Sequence, residues 1–347
     1  MMQKKMFRTL FAVLAVAGVL LASCKTTEPE STQVSIPKQY GAIQAKAPSN
    51  QVDVLLFNDF HGNVAEDARP GKGKNAGMAK LLGYVHTAQM ENPNTIVVAG
   101  GDNYQGTAIS NLTYGAPVSA MMKAMGVTAC AVGNHEFDWG VNHMNEWQKD
   151  GGFTFLAANI VDKNTKKPVS WAKPYKFVTK GGYKIAFVGL AHPDTVTLTK
   201  AEHVSGLDFT DPVAAGQQWV DYLRAGKAKE GKPDVILALT HIDSDQKGEE
   251  ISGNAVALTQ IKGLDGVLSA HSHRTVAGVV NGMPIMQAYC YGRAIGKLSI
   301  TFDENKKIAS ITPAVDEIWK HKDTIIEDEE GKAVYDKYDA DLKPILS

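Results

Sequence analysis

Five short segments of the sequence carry side chains that bind metal ions or transfer protons. They are Asp59-Phe60-His61-Gly62, Gly101-Asp102-Asn103, Gly133-Asn134-His135-Glu136 with Asp138 close behind, His241, and His271-Ser272-His273. Taken alone, a strand-end Asp commonly caps a helix, and a lone His is more often structural than a ligand. Together, the carboxylates, the amide and the imidazoles supply enough oxygen and nitrogen atoms for two divalent ions. No Cys belongs to the set, so the sequence predicts a catalytic site for zinc, manganese or iron rather than a structural zinc.

All five segments follow short apolar runs that are typical of buried strands. The predicted strands are Val52–Phe57, Thr95–Ala99, Ala129–Val132, Phe153–Ala157, Lys184–Leu190, Val235–Thr240 and Gly266–Ser269. Helical patterns lie between several of them, at Met78–Met90, Pro117–Met125 and Pro212–Ala225. This alternation predicts an α/β fold, and two later runs with hairpin-like spacing, Pro284–Ala288 and Lys297–Phe302, predict an antiparallel part. Functional groups of open α/β sheets lie at the ends of strands, where all five segments fall. In an extended segment, Asp59 and His61 would face one centre because residues two apart point the same way.

The N-terminus has the pattern of an export signal. Lys4, Lys5 and Arg8 precede the apolar run Leu10–Leu21, which is too short to span a membrane. The run ends in Leu21-Ala22-Ser23-Cys24, which resembles the lipobox of bacterial lipoproteins and implies cleavage before Cys24 and lipid attachment to it. We therefore expect residues 1–23 to be a lipoprotein signal peptide. The protein would be extracytoplasmic and lipid-anchored to the bacterial cell membrane, periplasmic or at the cell surface; a plain secreted protein is the alternative.

Composition sets the domain boundaries and excludes one class of partner. Residues 24–51 are polar and contain three prolines, so we expect a flexible tether before a folded domain at 52–326. In residues 327–347, the four-residue spacing of Val334, Tyr338 and Leu342 predicts one amphipathic helix. The chain has 36 basic and 37 acidic residues, so nucleic acid is not expected as a partner. Cys130 and Cys290 lie in apolar segments, and we expect buried, reduced thiols.

In chain order, the motifs DxH, GD, GNHE, H and HxH resemble the signature of the calcineurin-like metallophosphoesterases. More closely, the chain resembles the N-terminal domain of the bacterial 5'-nucleotidase and UDP-sugar hydrolase family. The longer matching segments are residues 58–62, 101–107 and 133–140, and residues 158–160 and 185–190 also fit. The resemblance covers roughly Val52 to Phe302. It implies a four-layer α/β/β/α sandwich with two mixed sheets.

The resemblance also implies a role for each site residue. Asp59, His61 and His273 would bind one metal ion, Asn134, His241 and His271 would bind the other, and Asp102 would bridge the two. Paired ions would lower the pKa of a bound water, so that a metal-bound hydroxide attacks phosphorus. The side chain of His135, pointing away from that of Asn134, would act as an acid or a positive stabiliser. Asp138 would orient His135 and complete a catalytic dyad.

The implied reaction is hydrolysis of nucleoside monophosphates. Hydrolysis of 2',3'-cyclic nucleotides or UDP-sugars is an alternative for the same centre, and a non-enzymatic surface lipoprotein that binds other molecules is another. Members of the family usually continue into a second, base-recognising domain, which we expect to be absent here. A separate chain of that kind could complete the site, the domain could act alone on a broader range of phosphoesters, or the gene could be truncated.

Two positions depart from the family pattern. Ala270 stands where a Gly usually precedes the last His-x-His motif, which is tolerable in an extended backbone and disruptive at positive φ. Ala76-Gly77 stands where Gly-Gly often follows the first motif. Neither change removes a predicted ligand, so we expect an active enzyme.

Overall fold

The computed structural model describes residues 36–69 and 72–346, and the predicted signal peptide and Cys24 lie outside the described residues. The strands are β1 (Gln51–Phe57), β2 (Thr95–Ala99), β3 (Val127–Ala131), β4 (Thr154–Leu156), β5 (Ile160–Asp162), β6 (Tyr175–Lys180), β7 (Tyr183–Ala191), β8 (Leu207–Phe209), β9 (Val235–His241), β10 (Asp245–Lys247), β11 (Glu250–Ser252), β12 (Gly266–Leu268), β13 (Thr275–Val280), β14 (Met283–Ala288), β15 (Ile295–Phe302) and β16 (Ile308–Asp316). The α-helices are α1 (Gly77–Glu91), α2 (Ala108–Leu112), α3 (Ala116–Met125), α4 (Met144–Gly151), α5 (Thr195–Leu198), α6 (Ala201–Val204), α7 (Pro212–Arg224) and α8 (Glu329–Leu346). Within these two ranges, no helix combines the length and apolar character that crossing a membrane requires.

Two six-stranded mixed sheets form the framework. The first has the order β16-β15-β1-β2-β3-β4, with β1 to β4 parallel and β15 antiparallel to both of its neighbours. The second has the order β13-β14-β12-β9-β7-β6, with the four central strands parallel and the two edge strands antiparallel. Two short antiparallel pairs, β5 with β8 and β10 with β11, lie outside these sheets. The predicted combination of parallel and antiparallel strands is therefore present.

Alternate side chains of the central strands pack into different cores. Along β1, Val54 and Leu56 pack between the two sheets, whereas Leu55 and Phe57 pack among residues of α1, α3, α4 and α8. The outer face of the second sheet packs against α7, where Val220 is fully buried. Because strand side chains alternate with a period of two, apolar residues at every position allow both faces to be buried. The helix, sheet, sheet and helix layers confirm the predicted α/β/β/α sandwich.

The predicted elements are present, and the unpredicted strands of the two large sheets lie at sheet edges. Each predicted strand and helix begins and ends within two residues of the observed one. The unpredicted long strands are β6, β13 and β16, three of the four edge strands of the two sheets. In β16 exposed and half-buried positions alternate and Pro313 lies in the middle, which an edge strand tolerates. This partial burial explains why the sequence predicts no strand for Ile308–Asp316, the segment that completes the first sheet.

The described part of the predicted tether, from Ile36 onward, differs from the expectation of a flexible segment. Lys38–Tyr40 form a short 3-10 helix, and the Tyr40 side chain is fully buried. The Tyr40 hydroxyl donates a hydrogen bond to Asp328 Oδ2 at 2.8 Å. One aromatic side chain with a polar tip therefore holds an otherwise polar segment against the domain.

Asp328 joins three parts of the chain that are distant in sequence. Its Oδ2 accepts from Tyr40 and lies 3.0 Å from His86 Nδ1 on α1, and its Oδ1 accepts from the backbone N–H of Gly331 at 2.7 Å. Burial alone would raise the pKa of Asp328. The hydrogen bonds from His86, Gly331 and Tyr40 lower the pKa by a larger amount, so the net pKa is below its usual value. The ionised carboxylate thus ties the N-terminal segment and α8 to α1.

Replacing Asp328 should destabilise the fold in a pH-dependent way. Asp328→Ala leaves its three donors buried without this acceptor, and we expect a loss of about 3 kcal/mol in the free energy of unfolding at pH 7. Because the folded-state pKa is lowered, the wild-type advantage is complete above about pH 4 and shrinks as the pH falls through the folded value. Urea unfolding at pH 7 and at about pH 3 measures both differences.

Asp341→Asn, an exposed change on the same helix, serves as the matched control and should leave stability unchanged. An Asp328→Ala protein whose deficit is the same at both pH values would show that the carboxylate charge does not hold these segments together.

Candidate metal centre

The predicted ligands meet at one edge of the sandwich. Strands β1, β2 and β3 of the first sheet and β9 and β12 of the second all end there, and each is followed by one of the five segments. All seven predicted ligands belong to this cluster: Asp59, His61, Asp102, Asn134, His241, His271 and His273. Two sheets therefore contribute ligands to a single cleft, which has a volume of about 580 Å³.

The first group of candidate ligands consists of Asp59, His61 and His273. The Nε2 atom of His273 lies 3.2 Å from Asp59 Oδ1 and 3.3 Å from His61 Nε2. The other nitrogen of His61, Nδ1, lies 2.9 Å from the carbonyl oxygen of Gln105 and must donate to it. That hydrogen bond leaves the lone pair of a neutral His61 on Nε2, the atom that faces the other two residues.

The second group consists of Asp102, His241 and His271. His241 Nδ1 donates to the carbonyl oxygen of Gly100 at 2.7 Å, so its lone pair is on Nε2. Nε2 lies 3.0 Å from Asp102 Oδ2 and 3.2 Å from His271 Nδ1. Asn134 lines the same cleft and is almost completely buried.

The Asp102 carboxylate lies between the two groups. Besides His241 and His271, its oxygen atoms come within 4.8 Å of ring nitrogens of both His61 and His135. This position is compatible with the bridging role that the resemblance implies for Asp102, which stays a prediction.

The chemistry of these donors fits two cations. Among the residues that the structure describes, the buried atoms Asp59 Oδ1 and Asn134 Oδ1 accept no hydrogen bond. In each group, two imidazole nitrogens lie close together, at 3.2 Å in one and 3.3 Å in the other. When both nitrogens of a pair are unprotonated, neither can donate a hydrogen bond to the other. Unsatisfied buried oxygens and facing lone pairs are both stabilised by a divalent ion. We therefore expect one ion in each group.

Buried negative charge makes the same region favourable for positive charge. Burial lowers the pKa of His241, but the charges of Asp102 and Asp59 outweigh it and raise the pKa to about 10. Burial likewise lowers the pKa of His273, and Asp59 raises it to about 10. Metal ions bind unprotonated imidazole, so protons and metal ions compete for the same nitrogen atoms.

Left-handed backbone, rather than extended backbone, brings the ligands together. Five of the seven predicted ligands have φ between 49° and 80°: Asp59, His61, Asp102, His271 and His273. The expectation that an extended segment aligns Asp59 with His61 was therefore wrong about the backbone, although both side chains do reach one group. Each non-glycine residue in this conformation costs about 1–2 kcal/mol, and such residues cluster at functional sites.

His135 and Asp138 form the predicted pair at the edge of the cleft. His135 Nδ1 lies 2.7 Å from Asp138 Oδ2, and this hydrogen bond chiefly raises the pKa of His135. The His135 ring lies 5.1 Å from the His61 ring, centroid to centroid. His135 and Asn134 both line the cleft. A 3-10 helix at His135–Phe137 directly follows Asn134. That their side chains point apart stays a prediction.

Glu136 is a site residue to which the sequence assigned no role. Its side chain is fully buried and accepts from the backbone N–H groups of Asp102, Asn103 and Gly133 at 2.8, 2.9 and 2.7 Å. Burial first, and then the charge of Asp102, raise the pKa of Glu136 to about 7. Glu136 thereby fixes the loop after β2 relative to the loop after β3. The glutamate in the GNHE motif was the available signal.

His192 lies outside the five motif segments but next to the site. It is buried outside any helix, with its ring centroid 5.1 Å from that of His271. Its Nε2 lies 3.2 Å from Asp243 Oδ1. The His192 imidazole thus connects the Asp243 carboxylate to the predicted ligand His271.

The two departures from the family pattern are accommodated. Ala270 has no positive φ, and its methyl group faces Gly100, where an added Cβ would lie 3.1 Å away. Gly77 has φ +71°, and a Cβ there would lie 2.5 Å from the backbone nitrogen of Glu66. The glycine that is kept in Ala76-Gly77 is therefore the one that the backbone requires. Cys130 and Cys290 are buried and not bonded to each other, as predicted.

Solved structures of other proteins share this fold. The chain matches the calcineurin-like phosphoesterase YfkN from Bacillus subtilis with a TM-score of 0.73 and 20% identity, over 86% of this chain and 99% of that one. It matches a 5'-nucleotidase precursor from Thermus thermophilus with a TM-score of 0.72 and 22% identity, over 86% and 60% of the two chains. The fold is that of the metallophosphoesterases, with the clustered His and Asp side chains at the end of its strands.

The profile of the calcineurin-like phosphoesterases matches residues 52–275 of the sequence. The chain belongs to this family, as its motifs predicted.

Curated relatives of known name share between a quarter and a third of their aligned residues with this chain. Endonuclease YhcR of Bacillus subtilis (strain 168) is 26% identical over 340 residues, 92% of this chain and 27% of that protein. The 5'-nucleotidase of Vibrio cholerae serotype O1 is 28% identical over 290 residues, and protein UshA of Yersinia enterocolitica serotype O:8 is 28% identical over 281 residues. Both alignments cover 74% of this chain. The chain spans about half the length of the last two relatives, at 51% and 50%.

Changing Glu136 should weaken metal binding although Glu136 is not one of the predicted ligands. Glu136→Gln replaces one acceptor oxygen by an amide that cannot accept, so one backbone N–H loses its partner. We expect metal affinity to fall by about 10- to 100-fold because the loop that carries Asp102 is no longer fixed. Metal content after dialysis, measured by mass spectrometry, and the melting temperature test this.

Glu146→Gln is the control, because the Glu146 side chain is 65% exposed. A Glu136→Gln protein that retains two ions with wild-type affinity would contradict the positioning role.

Proposed function

We propose that this protein is a dimetal phosphoester hydrolase of the 5'-nucleotidase type, acting on nucleoside monophosphates. The observation that carries the proposal is the meeting of two ligand groups and the His135–Asp138 pair in one cleft. Two of the proteins named above are a 5'-nucleotidase, from Vibrio cholerae, and a 5'-nucleotidase precursor, from Thermus thermophilus. Polar side chains of Asn63, Gln105 and Thr107 also line the cleft, and they suit the phosphate and ribose of such a substrate.

The ligand residues would hold two divalent ions, with Asp59, His61 and His273 on one, Asn134, His241 and His271 on the other, and Asp102 between them. Ions of this kind supply a lowered pKa for water and neutralise phosphoryl charge. Second contacts orient the ligands. His61 is held by the Gln105 carbonyl and His241 by the Gly100 carbonyl. These contacts keep the imidazoles in the tautomer that binds a cation.

His135 would provide the proton that the leaving group needs. Water attacks phosphorus, the bond from phosphorus to the ester oxygen breaks, and the nucleoside leaves as an alcohol after receiving a proton. Asp138 engages Nδ1 of His135, so Nε2–H is the group that can donate. The Asp138 hydrogen bond raises the pKa of His135 and favours the protonated ring that this step requires.

The same centre supports other phosphoesters. Hydrolysis of 2',3'-cyclic nucleotides or UDP-sugars is the enzymatic alternative. A nucleic acid phosphodiester is another candidate because the endonuclease relative aligns with 92% of this chain. The formal charge of −1 argues against tight binding of a nucleic acid backbone. A surface lipoprotein that only binds other molecules is the non-enzymatic alternative, and a full set of ligands with an acid–base pair weighs against it.

Location and partners complete the proposal. The N-terminal sequence supports an extracytoplasmic protein anchored to the membrane by lipid on Cys24. A separate base-recognising chain is a further proposed partner. In the segment that follows the cleft residue Thr107 in the sequence, Leu112 and Tyr114 are 49% and 54% exposed, and large exposed apolar side chains are typical of contact surfaces.

Phosphate release by metal-loaded protein tests the function. We expect turnover of AMP and of a simple aryl phosphate with manganese or zinc, and slower reaction with 2',3'-cyclic AMP, UDP-glucose and single-stranded DNA. Turnover of the aryl ester alone would favour a centre that needs a separate recognition chain. No turnover with both ions bound would move the binding-protein alternative ahead of the enzyme.

His135→Ala should separate chemistry from metal binding. The variant lacks the proton donor but none of the predicted ligands, so we expect kcat for AMP to fall by about 10²- to 10⁴-fold with two ions still bound. Steady-state kinetics and metal analysis of the same sample test both points. His143→Ala, a partly exposed histidine eight residues on, is the control. Loss of an ion from the His135→Ala protein would show that His135 is a ligand.

A further inference from the structure

Arg293, for which the proposed reaction has no role, packs against a tyrosine of the cleft wall beside His61 and His273. Tyr291 lines the cleft, with its ring centroid 5.7 Å from that of His61 and 5.3 Å from that of His273. The guanidinium carbon of Arg293 lies 4.9 Å from the Tyr291 ring centroid, within the range of a cation–π contact. A positive charge is therefore held against the aromatic wall of the cleft.

A chain of hydrogen bonds fixes Arg293 relative to the ligand groups. Its Nε donates to Asn75 Oδ1 at 2.7 Å, and Asn75 Nδ2 donates to Asn63 Oδ1 at 2.7 Å. Asn63 Nδ2 in turn donates to the carbonyl oxygens of Phe60 and His61 at 2.8 and 3.2 Å. Because arginine can only donate, it determines the orientation of both amides. This series of hydrogen bonds ends on the backbone of His61, a predicted metal ligand. It therefore holds Arg293 and His61 at a constant distance from each other.

The other N–H groups of Arg293 have no acceptor among residues 36–69 and 72–346, where Asn75 is the one partner of the guanidinium. The residue is half-buried, so its charge is partly removed from water. A partly desolvated charge is costly unless it is paired, and the planar fork of arginine matches the oxygens of a phosphate group. The unpaired donors are thus suited to an anion that enters the cleft.

The segment that carries Arg293 is held in a strained shape. Tyr289 and Tyr291 have φ of 56° and 58°, a conformation that bulky side chains rarely adopt. The Tyr291 N–H donates to the carbonyl oxygen of Asp59 at 2.8 Å, which ties this segment to the first ligand. Strain of this kind clusters at ligand-binding segments. Lys74, whose Nζ lies 4.7 Å from the Trp319 ring, adds a second positive charge nearby, since the Trp319 N–H donates to the Arg293 carbonyl.

We propose that Tyr291 and Arg293 form a second anion subsite, which binds a phosphate group joined to the phosphoryl group that is hydrolysed. The subsite adds diphosphate compounds to the monophosphate substrates, an extension that rests on the proposed phosphoester hydrolysis. With a nucleoside diphosphate, water adds to the terminal phosphorus and the anhydride bond breaks. Inorganic phosphate and the nucleoside monophosphate, which takes the proton, are the products.

Steady-state kinetics with ADP and AMP test the subsite. Arg293→Met keeps the aliphatic stem and removes the charge. We expect it to raise KM for ADP by about 10- to 100-fold, with kcat for ADP and KM for AMP changed less than about threefold. Arg293→Lys should recover part of the loss because it keeps the charge but not the fork. Arg274→Met is the matched control, since that side chain is 61% exposed and carries the same charge.

A parallel series with UDP-glucose shows whether the second phosphate is recognised when it is esterified, and loss with either diphosphate supports the subsite. An equal loss with ADP and AMP would overturn the proposal, because Arg293 would then act on the hydrolysed group or on the fold. Unchanged kinetics for both diphosphates would also overturn it.

A binding measurement separates this proposal from the proposed function. An ADP analogue with a methylene bridge between its phosphorus atoms is not hydrolysed, and its affinity is measured by calorimetry with metal-loaded protein. Arg293→Met should bind the analogue about 10- to 100-fold more weakly than the wild type, even if the chain hydrolyses no nucleotide. Equal affinities of folded wild-type and variant proteins would overturn the subsite without bearing on hydrolysis. Matching melting temperatures establish that both proteins are folded.

Discussion

The concentration of negative charge between the two sheets is the constraint on which the rest of the structure depends. Asp59, Asp102 and Glu136 are almost completely removed from water at the same edge of the sandwich. Buried carboxylates are costly unless donors or cations surround them. Backbone N–H groups surround Glu136, and five imidazoles lie close to the two aspartates. Loops from two sheets that end at the same edge bring these partners into a single cleft. The parallel central strands and the packing of the two sheets together place those strand ends side by side.

The sequence was sufficient for the central fold and for the membership of the site, but not for its local geometry. Strands such as β1 are apolar at every position and bounded by polar residues, a pattern that is hard to mistake. Edge strands carry no such pattern, and β16 was missed because burial there is partial. The contact between His135 and Asp138 was predictable because the two residues are three apart in the sequence. The left-handed backbone of Asp59 was not, because it depends on long-range contacts such as the hydrogen bond from His271 N–H to Asp59 Oδ2.

Side chains bonded to backbone atoms, rather than helices or strands, hold the loops around the cleft. Asn58 donates to Asp59 Oδ2 and to the Tyr289 carbonyl and accepts from the Ala288 N–H, all within 2.8 Å. Asn63 performs the same function for the loop that carries His61, and Glu136 for the loops after β2 and β3. None of these residues is a predicted ligand. They explain why short polar motifs around the ligands, and not only the ligands themselves, distinguish this site from a chance cluster of acids and imidazoles.

The left-handed backbone of five predicted ligands restricts which metals the proposed site could bind. Asp, Asn and His enter this region of backbone space far more readily than most other residues, and valine, isoleucine and threonine almost never do. The same three residue types donate oxygen or nitrogen to a metal, and none donates sulfur. Substitutions that the backbone tolerates at these positions therefore exchange one oxygen or nitrogen donor for another. At the proposed metal site, such exchanges would alter the preference among metals that bind oxygen and nitrogen donors, and the backbone conformation would disfavour a change to thiolate ligands.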